Sequence, residues 1–266
     1  MKTTSFLLFG ALLLTSGALA SISYTAKMAH RGAEVPAVFS SLPRRHHRPK
    51  QPRHGKRQHP INNTLNWAGA IQEAPTSGLF YTVSASWQVP SISTPVGQTL
   101  GTDAYWLYEW VGIDSLCGAI LQAGTGAYLN TQSGQVPLVW WEWFPEGPQV
   151  VNIPINLGDT FFTNLTATST TTAIYFIENV TQGCAVTITI SGGPTLCQTN
   201  AEWVVENPGV LDTPVFTDVI FTNCLATTTT GAQQGIDGTT LIYMDSKDGE
   251  VSKGSEINDS QLRVFY

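Results

Sequence analysis

Alternation of apolar and polar side chains with a period of two is the feature of this sequence that most restricts its fold. From Tyr81 to Val89 every second residue is apolar, and threonine, serine or glutamine stands between. This period is typical of β-strands with one face on a core. Because no segment after residue 57 keeps a helical period with caps, we predict an all-β fold, an antiparallel sandwich or barrel. Further strands are predicted at 105–113, 119–122, 138–144, 151–155, 160–168, 173–180, 185–190, 201–206, 215–222, 240–244 and 262–266.

The N-terminal part of the chain has the features of two removable segments. Residues 1–20 combine Lys2, an apolar run at 6–14 and the small residues 18–20, as in a secretory signal peptide. Residues 21–57 are basic and end in the dibasic pair Lys56-Arg57, which predicts a propeptide. The remaining 58–266 is long enough for one domain with its own core, and we expect it to be secreted and monomeric.

Charge is divided unevenly between these segments. Ten of the 13 lysines and arginines precede residue 58, nine of them in 21–57, but only one of the 19 acidic residues does. The domain therefore keeps three basic and 18 acidic residues, a net charge of about −15, which favours an acid working environment.

The basic segment itself is predicted to have no packed core, since it has few apolar residues and dense like charge. We expect it to inhibit the acidic domain electrostatically and to loosen in acid. A membrane partner is not expected, and neither is nucleic acid, because the chain is secretory.

Histidine is nearly absent from the predicted domain. Four of the five histidines lie in 21–57 and the fifth is His59. This excludes Ser-His-Asp and Cys-His catalysis and the usual zinc-hydrolase ligand sets, and no Asp-Thr-Gly or Asp-Ser-Gly is present. We therefore expect neither metal nor cofactor, and a chemistry that uses carboxylates, amides and hydroxyls.

Cysteines and glycosylation motifs agree with secretion. Four cysteines predict two disulfides with three possible pairings; they are Cys117, Cys184, Cys197 and Cys224. Candidate N-glycosylation sites are Asn62, Asn164, Asn179 and Asn258.

Polar residues at the ends of apolar runs are the candidates for a site. One run ends at Asp114 and the next at Gln122, so a sheet would direct both into a pocket. Glu142 alternates with Trp140 and Phe144 on one strand face, where burial would raise its pKa.

A last strand, 201–206, carries two glutamates. Glu202 and Glu206 share one face, with Glu206 at the strand end. We interpret Glu202 as the solvated or structural carboxylate of the two.

Several motifs together resemble the glutamic peptidases, or eqolisins. They occur in the family's order and extend over most of the predicted domain. The motifs are Asn66-Trp67-Ala68-Gly69-Ala70, Trp110-Val111-Gly112-Ile113-Asp114, Ala119-Ile120-Leu121-Gln122, Trp140-Trp141-Glu142-Trp143-Phe144-Pro145 and Cys197-Gln198-Thr199-Asn200-Ala201-Glu202-Trp203-Val204-Val205-Glu206.

The resemblance implies a sandwich of two curved antiparallel sheets with a catalytic pair, Gln122 and Glu206. It implies a disulfide between Cys117 and Cys197, which leaves Cys184 to pair with Cys224. Phe144 stands where a tyrosine is common in the family. Residues implied to bind substrate or to tune Glu206 are Trp67, Trp110, Asp114, Trp140, Glu142 and Phe144.

The implied activity is acid endopeptidase cleavage of polypeptides, insensitive to pepstatin. Glu206 would activate water and Gln122 would stabilise the oxyanion. Two alternatives use the same face. A glycoside hydrolase could use Glu142 and Glu206 if they lay about 5 Å apart, and a lectin-like module would use only the tryptophans.

Overall fold

The computed structural model describes residues 22–42, 61–209, 211–246 and 249–266. The predicted signal peptide and the predicted cleavage site at Lys56-Arg57 lie outside these residues. The described residues form strands and no helix. The strands are β1 (Ser23–His30), β2 (Ala33–Val35), β3 (Phe39–Ser41), β4 (Ile61–Thr64), β5 (Trp67–Gln72), β6 (Phe80–Gln88), β7 (Ile92–Ser93), β8 (Tyr105–Ile113), β9 (Ile120–Asn130), β10 (Gly134–Phe144), β11 (Gln149–Val151), β12 (Thr160–Ala167), β13 (Thr172–Asn179), β14 (Cys184–Ser191), β15 (Ala201–Glu206), β16 (Val215–Phe216), β17 (Val219–Thr228), β18 (Gln233–Gln234), β19 (Thr240–Ser246), β20 (Gly249–Asn258) and β21 (Gln261–Phe265).

Hydrogen bonds join most of these strands into one folded-over sheet. The front layer runs β11–β10–β9–β8–β15–β5, and the back layer runs β21–β17–β6–β12–β13–β14. Strand β19 pairs with β5 through residues 240–242 and with β20 through 243–246, and so connects the layers. The sheet does not close into a barrel, and the predicted all-β sandwich is confirmed.

The main core lies between the two layers. Val111, Trp141 and Trp203 enter it from the front layer, and Val83 and Phe161 enter it from the back layer. The alternation that predicted β6 is confirmed, except at Tyr81, which is exposed. Between the pairs Thr82–Thr227 and Phe80–Thr228 the β6 strand contains an extra residue, and this bulge turns the tyrosine outward.

Residues 22–42, here the N-terminal edge segment, pack against both layers. Strand β1 pairs along its whole length with β14 of the back layer, and β3 pairs with β11 of the front layer. Met28 is buried, and the rings of Tyr24 and Phe39 lie 5.4 and 6.4 Å from the ring of Trp141. The expectation of no packed core in this basic region is therefore wrong for 22–42, because strand pairing needs few apolar side chains.

The cysteines form one disulfide and not two. Cys117 and Cys197 are bonded, while Cys184 and Cys224 are free and buried. The predicted Cys184–Cys224 bond is wrong. These residues lie on β14 and β17, four strand spacings apart in the back layer, or about 19 Å, and a disulfide requires Cα atoms within about 7 Å.

The glycosylation candidates differ in exposure. Asn258 is exposed and Asn164 is half-buried, whereas Asn62 is buried. Asn179 is fully buried, and its amide nitrogen donates hydrogen bonds to the Pro154 carbonyl and to Asp159. A glycan on Asn179 is incompatible with this packing.

Candidate functional site

The outer face of the front layer, here the site face, presents three rows of side chains across strands β15, β8, β9 and β10. Residues in a row are paired across adjacent strands, and successive rows are two residues apart, so that all three lie on one face. The rows are Glu202–Gly112–Gln122–Glu142, Val204–Trp110–Gly124–Trp140 and Glu206–Tyr108–Gly126–Leu138.

Glycines make this face possible. A Cβ on Gly126 would lie 2.2 Å from the ring of Tyr108, and one on Gly124 would lie 2.0 Å from the carbonyl oxygen of Glu109. The ring of Tyr108 therefore occupies the space above Gly126, and the backbone of β8 approaches β9 closely at Gly124. The Tyr108 and Trp140 ring centroids are 4.9 Å apart.

Glu206 lies between two strands that supply tryptophans. It pairs with Trp67 on β5 and with Tyr108 on β8. The indole nitrogen of Trp110 donates a hydrogen bond of 3.0 Å to Glu206 Oε2, and the Trp67 and Trp110 rings meet edge to face at 4.9 Å. The carboxylate is fully buried. Trp67 and Trp110, both predicted site residues, thus enclose Glu206.

Gln122 and Glu142 are joined by a side-chain hydrogen bond. The Gln122 amide nitrogen donates a hydrogen bond to Glu142 Oε2, and the two residues face each other across β9 and β10. Gln122 is fully buried, and its Oε1 has no hydrogen-bond partner. Phe144, two residues beyond Glu142, is partly buried and packs against the aromatic cluster of this face.

Asp114 lies at a different place from the one expected. Its carboxylate accepts hydrogen bonds from the backbone N–H groups of Gln198, at 2.6 Å, and Thr199, at 2.8 Å, and its own φ is 79°. Burial raises the pKa of this carboxyl, and those backbone hydrogen bonds oppose the rise. Asp114 is six residues from Tyr108, the partner of Glu206, or about 20 Å along the strand. It therefore holds together the two loops that the Cys117–Cys197 disulfide joins, and the structure does not bring it to Glu206.

Glu202 is not a solvated carboxylate. It is fully buried, and Glu202 Oε1 accepts a hydrogen bond of 3.1 Å from the backbone of Ser115. Burial, with a smaller contribution from Asp114, raises its pKa well above the ordinary range. The alternation of β15 placed it on the same face as Glu206, but its burial could not be read from that pattern.

Sequence reasoning missed a second buried acid, Glu109. It points from β8 into the main core, where the Thr125 hydroxyl donates a hydrogen bond of 2.7 Å to it. Trp87 donates in turn to that hydroxyl, and Trp140 of the site face donates to the Thr125 carbonyl. Burial raises the pKa of Glu109 to about 8. The sequence could have indicated its burial, because Glu109 is one of the alternating residues of β8 that face the core.

The described residues contain neither a metal-binding cluster nor a membrane-spanning helix. No group of three or more histidine, cysteine, aspartate or glutamate side chains within them is arranged to hold a metal ion. Over the same residues, no helix is long and apolar enough to cross a membrane.

Comparison with known proteins identifies the family. The profile of the peptidase A4 family matches residues 65–266. The chain belongs to the peptidase A4 family. Aspergillopepsin-2 of Aspergillus niger is 33% identical to this A4 peptidase over 225 residues, which are 76% of this chain and 77% of the relative. Scytalidopepsin B of Scytalidium lignicola is 37% identical over 147 residues, 53% of this chain and 51% of that relative.

A solved structure agrees with this assignment. Scytalido-glutamic peptidase in complex with a peptide-based transition state analog superposes with a TM-score of 0.63 and 30% identity, over 76% of this A4 peptidase and 98% of the other chain. The predicted glutamic peptidase resemblance is confirmed. The glycoside hydrolase and lectin alternatives are set aside by the family.

Proposed function

We propose that this chain is the secreted precursor of an acid endopeptidase in which Glu206 and Gln122 form the catalytic pair. The observation that carries the proposal is the site face of an A4 peptidase on which a buried carboxylate and a buried carboxamide lie among tryptophans. The sequence after residue 59 holds no histidine, so we assign the proton transfers to a carboxyl group, that of Glu206.

Each step uses a group on the site face. Ionised Glu206 takes a proton from a water molecule, whose oxygen attacks the carbonyl carbon of the scissile peptide bond. The amide nitrogen of Gln122 donates a hydrogen bond to the oxygen that becomes negative, and one such donor contributes about 3–4 kcal/mol. Glu206 then gives its proton to the leaving nitrogen as the C–N bond breaks. The glutamine amide stays neutral in acid and so keeps its donors.

The hydrogen bond from Trp110 supports the role of Glu206. The indole nitrogen of Trp110 donates to Glu206 Oε2 and so fixes the position of the carboxyl group that acts as the general base. Glu142 accepts from Gln122 and thereby orients the amide. We propose these as positioning roles, and substrate-binding roles for Trp67, Trp140 and Phe144.

The proposal that this chain is an inactive precursor rests on the burial of the two catalytic side chains. Before any cleavage Gln122 and Glu206 have no exposed surface, and Leu42 of the N-terminal edge segment packs against the aromatic cluster of the site face. We propose that residues 1–20 direct secretion and that 21–57 inhibit the monomeric domain 58–266. Acid weakens the attraction between the basic segment and the acidic domain, whereas the backbone hydrogen bonds that pair β1 with β14 and β3 with β11 involve no ionisable group.

The test is cleavage of a denatured protein by the processed domain 58–266, after removal of the cleaved segment 21–57, at about pH 2–4, the acid range in which the excess of carboxylates loses its charge. Pepstatin is present, and three variants are compared. Cleavage is expected to resist pepstatin, to disappear in Glu206→Gln and in Gln122→Ala, and to persist in Glu178→Gln, the same change at a half-buried glutamate of β13. No cleavage by a folded, processed chain would contradict the proposal, and β-glucans and xylans would then be tested as substrates.

A further inference from the structure

The row that contains Gln122 also contains Glu202, and only a glycine separates them. Gly112 of β8 pairs with Glu202 on one side and with Gln122 on the other. A Cβ on Gly112 would lie 2.7 Å from Glu202 Oε1. The ring of Trp110 comes equally close, at 2.7 Å, so the carboxyl group of Glu202 and this ring share the space above Gly112, on the strand next to Gln122.

Two buried oxygen atoms in this row have no hydrogen-bond partner. They are Glu202 Oε2 and Gln122 Oε1. The other atoms of the two groups are engaged, since Glu202 Oε1 accepts from the Ser115 backbone and the Gln122 nitrogen donates to Glu142. Two acceptors cannot satisfy each other, but a protonated carboxyl group is also a donor.

The surroundings of Glu202 favour the protonated form. Ile71 faces it from β5 and Gly112 faces it from β8, so neither strand supplies a counter-charge. The charged neighbour is Asp114, a second carboxylate that acts in the same direction as burial and raises the pKa of Glu202. Glu142 lies on the far side of Gln122 and is likewise acidic.

We propose that Glu202 is a positioning residue for Gln122: as a neutral carboxylic acid it donates a hydrogen bond to Gln122 Oε1, directly or through one bound water. The amide is then held from both sides, by Glu202 at its oxygen and by Glu142 at its nitrogen. The second hydrogen of the amide nitrogen remains for the substrate oxygen. The inference rests on the proposed catalytic role of Gln122 and adds the group that fixes its orientation.

Glu202→Gln and Glu202→Leu separate this role from a packing role. Glutamine keeps a neutral donor and an acceptor in the same positions, and leucine keeps a similar volume without a donor. At about pH 3, where carboxylates are largely protonated, we expect kcat of Glu202→Gln to stay within about threefold of the parent. For Glu202→Leu we expect a loss of about 30-fold or more, with KM changed less than threefold, because a donor that orients a catalytic group acts mainly in the transition state.

The pH profile gives a second readout that packing alone would not move. In the parent, kcat falls on the alkaline side as Glu202 ionises and ceases to donate. The glutamine variant cannot ionise, so its activity is expected to extend to higher pH by at least about one unit. Equal kcat in the parent and in Glu202→Leu, or an equal loss in both variants, would overturn the proposal.

Infrared spectroscopy tests the proton without relying on activity. A difference spectrum between Glu206→Gln and the double variant Glu206→Gln/Glu202→Gln at pH 5 is expected to show the C=O stretch of one protonated carboxyl group. At this pH an exposed glutamate is mostly ionised. An ionised carboxylate band in its place would overturn the proposal, even if Glu202→Leu does not fold. Loss of cleavage in Glu206→Gln remains the separate test of the proposed function.

Discussion

Replacing Glu109 by glutamine should change how the stability of this protein depends on pH. Glu109 is fully buried in the core between the layers, where Thr125 donates to one carboxyl oxygen and the other, Oε1, has no partner. Burial raises its pKa to about 8 from an ordinary value of 4.5. Glutamine has nearly the same shape and cannot ionise.

The sign follows from where the proton is held. Between about pH 4.5 and 8 the folded state keeps the proton on Glu109 and the unfolded state releases it, so rising pH favours unfolding. The contribution of Glu109 to stability is present in full below pH 4.5 and is lost as pH rises to about 8. At about 1.4 kcal/mol for each pH unit, the difference between the pKa values of 4.5 and about 8 corresponds to a loss of about 5 kcal/mol in the free energy of unfolding.

The assay is urea unfolding at a series of pH values from 4 to 8, in the Glu206→Gln background to prevent self-cleavage. The free energy of unfolding of Glu109→Gln relative to its parent should rise by about 4–5 kcal/mol over this range. Glu178→Gln, the same change at a half-buried position of β13, is the matched control for the substitution itself. A parallel curve for Glu109→Gln would refute the reasoning.

Other consequences of the structure can be measured directly. After cleavage behind residue 57, the N-terminal edge segment should stay bound at pH 3 and in about 1 M salt, which screens charges beyond about 3 Å, because strand pairing and packing hold it. Met28→Asp should release the segment. Size-exclusion chromatography with mass spectrometry shows whether the segment stays with the domain, and release of the unmodified segment by salt would contradict the prediction. Cys184 and Cys224 should not react with a thiol reagent in the folded protein, and both should react after unfolding. Absence of a reactive thiol after unfolding would show instead that the two cysteines are bonded to each other. Removing the disulfide by Cys117→Ser with Cys197→Ser should lower the free energy of unfolding by about 4 kcal/mol, from a separation of 80 residues, and a loss below about 1 kcal/mol in urea would contradict this.

The fold class was predictable because a period of two is a local property of the chain. The predicted strand 105–113 matches β8, and 201–206 matches β15. The observed strand β9 (Ile120–Asn130) is longer than the predicted segment 119–122. The prediction stopped short because glycines at 124 and 126 weaken the strand pattern in the sequence. In the structure those same glycines make room for the carbonyl of residue 109 and the ring of Tyr108, a requirement that appears only when strands lie side by side.

The site was predictable in part. Alternation placed Glu142 on one strand face with Trp140 and Glu206 on one face with Glu202, and the motifs indicated Gln122. The positions of Asp114 and Glu202 were not predictable, because they depend on which loop or strand packs against each carboxylate. The pairing of Cys184 with Cys224 followed from counting cysteines, and a count gives no information about the distance between two residues in the fold.

By itself the sequence determined an all-β chain, an acidic domain with no histidine after residue 59 and a family of peptidases, since composition, period and motif are properties of the chain alone. Tertiary structure decided which acids are buried, and burial raises the pKa of Glu109, Asp114 and Glu202. It also decided that a basic N-terminal segment can add strands to both layers. The physical reason is that burial and strand pairing depend on partners distant in sequence: Glu202 faces Gly112 across 90 residues, and Tyr24 meets Trp141 across more than a hundred.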